Sequence, residues 1–249
     1  SVLQGMRDPA LAAAILRQIG GAAAAGADLV EAGDPKAAIR HLLAIDPAEL
    51  AELTDRVPSA AAAAGLRPAG VEALATVVRN YPGDPGVLVA VLMDQRVLAE
   101  GEAVFVPAGV VHAYVSGTGV EVMTASDNVL RLGLTPKAIA VDEALEALDP
   151  DLTPQPMSGE PATLPTGGVH RHYAPPGAPF VVDWIGDGSF TAEAGLYRLV
   201  LAVSSSVTVA VDGVEVVLAQ GQAAAVLASE GDLQLTTTGA AVVARPAAQ

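Results

Sequence analysis

Apolar side chains recur every three to four positions over the first eighty residues. Leu11, Ile15, Leu16 and Ile19 form one stripe, and Ile39, Leu42 and Leu43 a second. Leu50, Leu53 and Val57 make a third, and Val71, Leu74, Val77 and Val78 a fourth. This spacing gathers side chains on one face of a helix. Three of the stripes follow an Asp-Pro pair: Asp8-Pro9, Asp34-Pro35 and Asp46-Pro47. The aspartate can cap the orphaned N–H groups of a first turn, where proline's missing donor does no harm. Gly20-Gly21 stops the first run and Pro58 the third. Residues 1–80 are therefore expected to be helical. Residues 22–25 and 60–64 show no apolar–polar contrast, which leaves helix and tight linker both open.

From Tyr81 the period changes to two. The unbroken apolar run 87–93 is expected to be a strand buried on both faces. It is entered through the loop residues Tyr81-Pro82-Gly83-Asp84-Pro85-Gly86. Strands at 103–106 and 120–125 flank the turn Pro107-Ala108-Gly109 and His112. Alternation then pairs His112 with Tyr114 on one face and Glu121 with Met123 on another. A short helix is expected over 141–148, and the Pro-, Thr- and Gly-rich stretch 149–168 reads as a connector.

Beyond it, strands at 180–184, 197–203, 207–211, 214–218, 223–228, 233–237 and 241–244 follow at short, even spacing. Asp212-Gly213, between alternating valines, is a two-residue hairpin signal. A compact barrel or jelly roll results. Its interior positions are Val, Leu and Ala without an ionisable cluster, so a structural role is expected. The fold class is α+β, mainly-β barrels with a helical domain at the N-terminal end. The expected division is a helical domain 1–80, a sheet region 81–148, a linker 149–168 and a barrel 169–249.

Composition narrows the function. Apolar residues make up 51% but aromatic ones only 3%, so the core is built from many modest contacts. A formal charge of −15 argues against nucleic acid, whose phosphates need a basic surface. No run of apolar residues is long enough to span a membrane, and the first residues lack a signal-peptide pattern. With no cysteine, any zinc must be held by His, Asp, Glu or Gln. A cytoplasmic protein is expected. An anionic small molecule would need local positive charge, which Arg131 and Lys137 can supply.

The segment 101–137 concentrates the candidate chemistry: His112, Glu121, Asp127, Asn128, Arg131 and Lys137 amid apolar strands. Ionisable groups in such surroundings need partners: a metal, a substrate or one another. Plainer readings stand beside the functional ones. His112 would serve equally as a strand-end hydrogen-bonding group, Glu121, Asp127 and Arg131 as an ion-pair network, and Asp127-Asn128 as a turn cap. His41 reads as a packed or surface histidine. His170-x-His172 has a metal-ligand spacing, but Tyr173-Ala174-Pro175-Pro176-Gly177 follows it, and it reads as a surface loop. Gly83-x-x-Gly86 and Gly167-Gly168 read as turn glycines.

Several of these segments occur together and in order: Tyr81-Pro82-Gly83-Asp84, Gly101-Glu102-Ala103, Pro107-Ala108-Gly109, His112-Ala113-Tyr114 and the run from Ser126 to Lys137. In this the chain resembles the type I mannose-6-phosphate isomerases, zinc enzymes of the cupin superfamily. The resemblance implies interconversion of mannose 6-phosphate and fructose 6-phosphate through an enediol. It implies His112 as a zinc ligand, Glu121 and Asp127 as active-site carboxylates, and Arg131 as a catalytic arginine. Tyr114 and Lys137 would lie near the sugar phosphate. The family's other zinc ligands, a Gln-x-His pair and a glutamate, have no counterpart here. The chain is thus expected to correspond to the C-terminal portion, completed by a missing N-terminal half or by self-association. The alternative is a non-catalytic sugar-phosphate-binding cupin.

Overall fold

The computed structural model describes residues 1–126 and 129–247. The chain divides into two compact units. The first comprises Ser1–Ala99, Val106–Gly119 and Ser126–Gln155, and the second Glu100–Phe105, Val120–Ala125 and Pro156–Gln249.

The first unit opens on β1 (Val2–Met6), where a helix was expected. Its residues are buried in succession because β1 is the centre of a three-stranded sheet. Helices α1 (Pro9–Ile19), α2 (Ala23–Glu31), α3 (Pro35–Leu43), α4 (Pro47–Ala63) and α5 (Pro68–Asn80) follow. The three aspartate caps form: Asp8 accepts from the Leu11 N–H at 2.9 Å, Asp34 from Ala37 at 2.9 Å and Asp46 from Ala48 at 2.8 Å. Helix α4 passes through Pro58 and does not end there. Leu50, Leu53, Val57, Ala60 and Ala61 share its buried face, and packing both sides of the proline offsets the one lost hydrogen bond.

The apolar run after Gly86 also departs from expectation. It forms the short helix α6 (Gly86–Val91), and β2 (Met93–Arg96) begins only at its end. Every residue of α6 is buried. A segment enclosed on all sides carries no amphipathic period, so helix and strand look alike in sequence. Buried Arg7 closes this corner. Its Nε donates to the Val91 carbonyl at 2.9 Å and its Nη2 to that of Met93 at 2.5 Å. Burial lowers the Arg7 pKa, with Asp94 opposing the shift. The core is aliphatic, with Ile15, Leu16, Ile39, Leu42, Leu53, Leu74 and Leu88 at its centre.

Strand β3 (Ala103–Phe105) is followed by β4 (His112–Tyr114), which adds to β1 opposite β2, giving the order β2-β1-β4. Residues 120–125 form no strand, so the expected facing of Glu121 and Met123 does not arise from a pleat. Helix α7 (Val141–Ala147) packs Ala144 and Leu145 inward. The connector holds β5 (Gln155–Met157), which pairs with β3, and β6 (Pro161–Thr163).

The second unit continues with β7 (Val169–Tyr173), β8 (Phe180–Ala192), β9 (Arg198–Ser204), β10 (Val207–Val211), β11 (Val214–Leu218), β12 (Ala223–Val226) and β13 (Leu233–Pro246). The two short strands expected within 233–244 are one long strand with an irregularity between Thr237 and Ala240. The path runs β11-β10-β13-β8-β7-β6, with β9 joining β13 to β12. At the hairpin Val211 faces Val214, and Asp212 and Gly213 take φ of 51° and 80°, both positive as a type I′ turn requires. Inward residues such as Ile185, Val200, Leu233, Leu235 and Val243 form the core.

The interior of this unit is not wholly apolar. The His170-x-His172 pair lies on β7 and not in a loop, and both rings meet Asp183 of β8, which is fully buried. Arg198 is buried as well.

Tyr173 ties β7 to the segment at Gly101. Its hydroxyl donates to the Gly101 carbonyl at 2.6 Å, and burial raises its pKa above the ordinary phenol value. A group whose folded pKa exceeds its unfolded value stabilises fully below the unfolded pKa and loses that contribution as pH rises through the folded one. The stability of this unit should therefore fall on the alkaline side of pH ~10. Urea midpoints measured by tryptophan fluorescence at neutral and alkaline pH test this. Tyr173→Phe should flatten the alkaline decline; an unchanged decline would assign it to another group.

Candidate functional site

The first unit carries a cleft of about 470 Å³ between β4, the end of α5 and the segment from Arg131 to Thr135. Its geometry begins with two glycines. A Cβ on Gly133 would stand 2.6 Å from the Gly86 Cα, and one on Gly86 would stand 2.8 Å from the Gly133 Cα. The backbones thus touch where both residues lack side chains, and Gly133 sits at φ 129°. Asp84 bridges the same contact. Its Oδ1 accepts from the Gly86 N–H at 2.7 Å and its Oδ2 from the Leu134 N–H at 3.0 Å. One carboxylate therefore fixes the start of α6 and the loop that carries Arg131.

His112 and Tyr114 line this cleft from β4. Alternation along the strand puts both on one face, with ring centroids 6.3 Å apart and the planes inclined at 68°. The His112 Nδ1 lies 3.1 Å from the Val110 carbonyl. A carbonyl only accepts, so Nδ1 carries the proton and the Nε2 lone pair can accept or ligate. Arg131 lines the same cleft, its Nη1 donating to the Val129 carbonyl at 3.2 Å. His112, Tyr114 and Arg131 thus come together.

The other candidates lie elsewhere. Lys137 is exposed, and its backbone N–H donates to the Thr135 hydroxyl at 3.1 Å. Glu121 belongs to the segment Val120–Ala125, grouped with the second unit. Asp127 and its neighbour Asn128 lie outside the described residues. His41 is packed, its Nε2 2.8 Å from the Ala22 carbonyl.

Asp84 carries a positioning part that the sequence reading gave only to a loop. Its signal was faint: an Asp two residues before a helix-starting glycine is a capping pattern, and its second partner is fifty positions away. Among the described residues, no group of three His, Cys, Asp or Glu that could hold a metal ion gathers at His112. An imidazole by itself does not make a zinc site, which takes three or four ligands. No described helix is long and apolar enough to cross a membrane.

No protein-family model matches the chain. Curated relatives do. It is 36% identical over 146 residues to a probable mannose-6-phosphate isomerase of Echinococcus multilocularis, covering 57% of this chain and 33% of that protein. Against the mannose-6-phosphate isomerase of Rattus norvegicus it is 34% identical over 172 residues, 68% of this chain and 38% of that one. The chain thus spans about a third of the length of these two curated relatives. Among solved structures, mannose 6-phosphate isomerase from Salmonella typhimurium, bound to fructose 6-phosphate and zinc, superposes with a TM-score of 0.75 at 22% identity. That match covers 99% of this chain and 63% of that chain. The apo form of the same enzyme gives 0.75 with 99% and 64%. The fold is that of the phosphomannose isomerases.

Proposed function

We propose that the cleft is the sugar-phosphate part of an aldose–ketose isomerase site that interconverts mannose 6-phosphate and fructose 6-phosphate. The observation that carries this is the meeting of His112, Tyr114 and Arg131 on one cleft, in a chain resembling part of the mannose-6-phosphate isomerases. Arg131 supplies the fixed cation that an anionic substrate needs on a protein of charge −15, and it can stabilise the negative oxygen of an enediolate. Tyr114 offers a hydroxyl and a ring to the sugar, and Lys137 a second cation for the phosphate. A carboxylate, Glu121 or Asp127, serves as the base that moves the proton between C1 and C2.

Zinc is the metal of this reading, with His112 as one ligand. The described residues around His112 do not complete its coordination, so the remaining ligands are assigned to a completing half or to a second copy. The proposal includes a cytoplasmic setting. The same incompleteness favours a second reading, a sugar-phosphate-binding protein without turnover.

Two measurements on the purified, zinc-supplied chain decide between them: calorimetric binding of fructose 6-phosphate, and coupled turnover of mannose 6-phosphate. Binding is expected, weakened about 10- to 100-fold in Arg131→Ala by loss of a charge-assisted contact. Turnover abolished by a chelator supports the isomerase. Binding without turnover excludes completion by a second copy and leaves either the second reading or a chain that needs its completing half, and a folded chain that does neither overturns both.

A further inference from the structure

We propose that the second unit holds a divalent transition-metal site formed by His170, His172 and Asp183, separate from the cleft at His112. The strands dictate the arrangement. His170 and His172 are two positions apart on β7, so their side chains leave the same face. Asp183 on β8 is the residue paired with His172, and Ile185 is paired with His170. The carboxylate therefore rises directly beside one imidazole and diagonally from the other.

Three potential ligand atoms converge: His170 Nε2, His172 Nδ1 and an Asp183 carboxylate oxygen all lie within 4.8 Å of one another. Both nitrogens approach the same oxygen, Oδ1, at 2.8 and 2.7 Å. A tetrahedral zinc with bonds of about 2.0–2.1 Å would spread such ligands to roughly 3.3 Å. The rings need to move outward by about half an ångström. His172 has the room, since 44% of its side chain is exposed, and His170 keeps 22%. That open side leaves a fourth position for water.

The carboxylate is prepared for one more bond. Arg245 Nε donates to its other oxygen, Oδ2, at 3.1 Å, which holds the group in orientation and leaves Oδ1 to the ion, as an outer-shell partner does. Burial works to raise the Asp183 pKa, but the hydrogen bonds from His172 and His170, with the Arg245 charge, bring it net below its ordinary value. A carboxylate beside two imidazoles is a donor set that suits zinc, cobalt or iron(II). On binding, each nitrogen facing Oδ1 exchanges its proton for the metal, and the ring proton moves to the other nitrogen or to solvent. The Arg245 charge opposes the ion, so binding belongs to the exchangeable class and not to the tight, permanent one.

The test uses Co²⁺ and Zn²⁺ with the chelator-stripped whole chain. One equivalent of Co²⁺ should give a visible absorption band that persists in His112→Ala, which separates this site from the proposed isomerase metal. The band should be lost in His172→Ala and His170→Gln, with far-UV circular dichroism confirming the fold. On the unsubstituted chain, Zn²⁺ should shift the ¹⁵N resonances of His170 and His172 and leave His41 unmoved, which guards against a variant that fails to fold. A cobalt band abolished by His112→Ala alone, or Zn²⁺ that leaves the His170 and His172 resonances unchanged, would overturn the proposal.

Discussion

Arg198→Ala is expected to destabilise the second unit by about 3–5 kcal/mol, because several main-chain acceptors lose their donor at once. Arg198 sits at the start of β9 with no exposed surface. Its Nη1 donates to the carbonyls of Glu193 at 3.0 Å, Gly231 at 2.9 Å and Ala192 at 3.4 Å. Nη2 reaches those of Leu227 at 2.9 Å and Glu230 at 3.3 Å. No carboxylate takes part in these contacts; a planar cation gathers the backbone of two turns, one after β8 and one between β12 and β13. Removing it leaves one buried and four part-buried carbonyls without this donor, each costing about 1–3 kcal/mol where it stays dry. Arg198→Lys should recover only part of the loss, because one ammonium cannot span the five carbonyls. Trp184 is the protein's single tryptophan and lies in β8, so urea unfolding followed by its fluorescence reports on this unit. A loss below about 1 kcal/mol would mean that water replaces the guanidinium and that the turns hold themselves.

The second large effect belongs to the cleft. Gly133→Ala is expected to cost about 3 kcal/mol, from a methyl forced against backbone together with a strained φ. The neighbouring Gly83 separates the two contributions. It also has a positive φ, 72°, yet a Cβ there meets nothing within 4 Å, so Gly83→Ala should cost only about 1 kcal/mol. Unfolding of the helical signal at 222 nm reads the difference, since the long helices belong to the first unit. Equal losses at the two positions would show that the Gly86–Gly133 approach adds nothing beyond dihedral strain. On the proposed function, binding of fructose 6-phosphate should weaken in Gly133→Ala even where the protein remains folded, because the same loop carries Arg131.

How far the sequence could be read follows from the range of each signal. The Asp-Pro helix starts were legible because cap and first turn are consecutive, and all three caps form. The Asp212-Gly213 hairpin was legible for the same reason. Helix α6 was not, because enclosure on every side removes the contrast that a period needs. Pro58 misled because its local effect was outvoted by Ala60 and Ala61 packing beyond it. In the cleft, alternation sufficed to put His112 with Tyr114, whereas Arg131 joins them through the Gly86–Gly133 touch, which no local pattern announces. Asp183 was missed as a partner of His170 and His172 because its approach depends on the β7–β8 register. Reading those histidines as loop hid the register altogether.

Strand β13 has a consequence for biosynthesis. It pairs with β8, β9 and β10, all of which a ribosome completes first. At roughly 5–20 residues per second, some 3 to 11 seconds separate the completion of β8 from that of β13. During that interval the earlier strands of the second unit present open edges with alternating valines, the kind of surface that recruits neighbouring nascent chains. Slowed translation before Leu233 would therefore lengthen that exposure and lower the yield of folded protein.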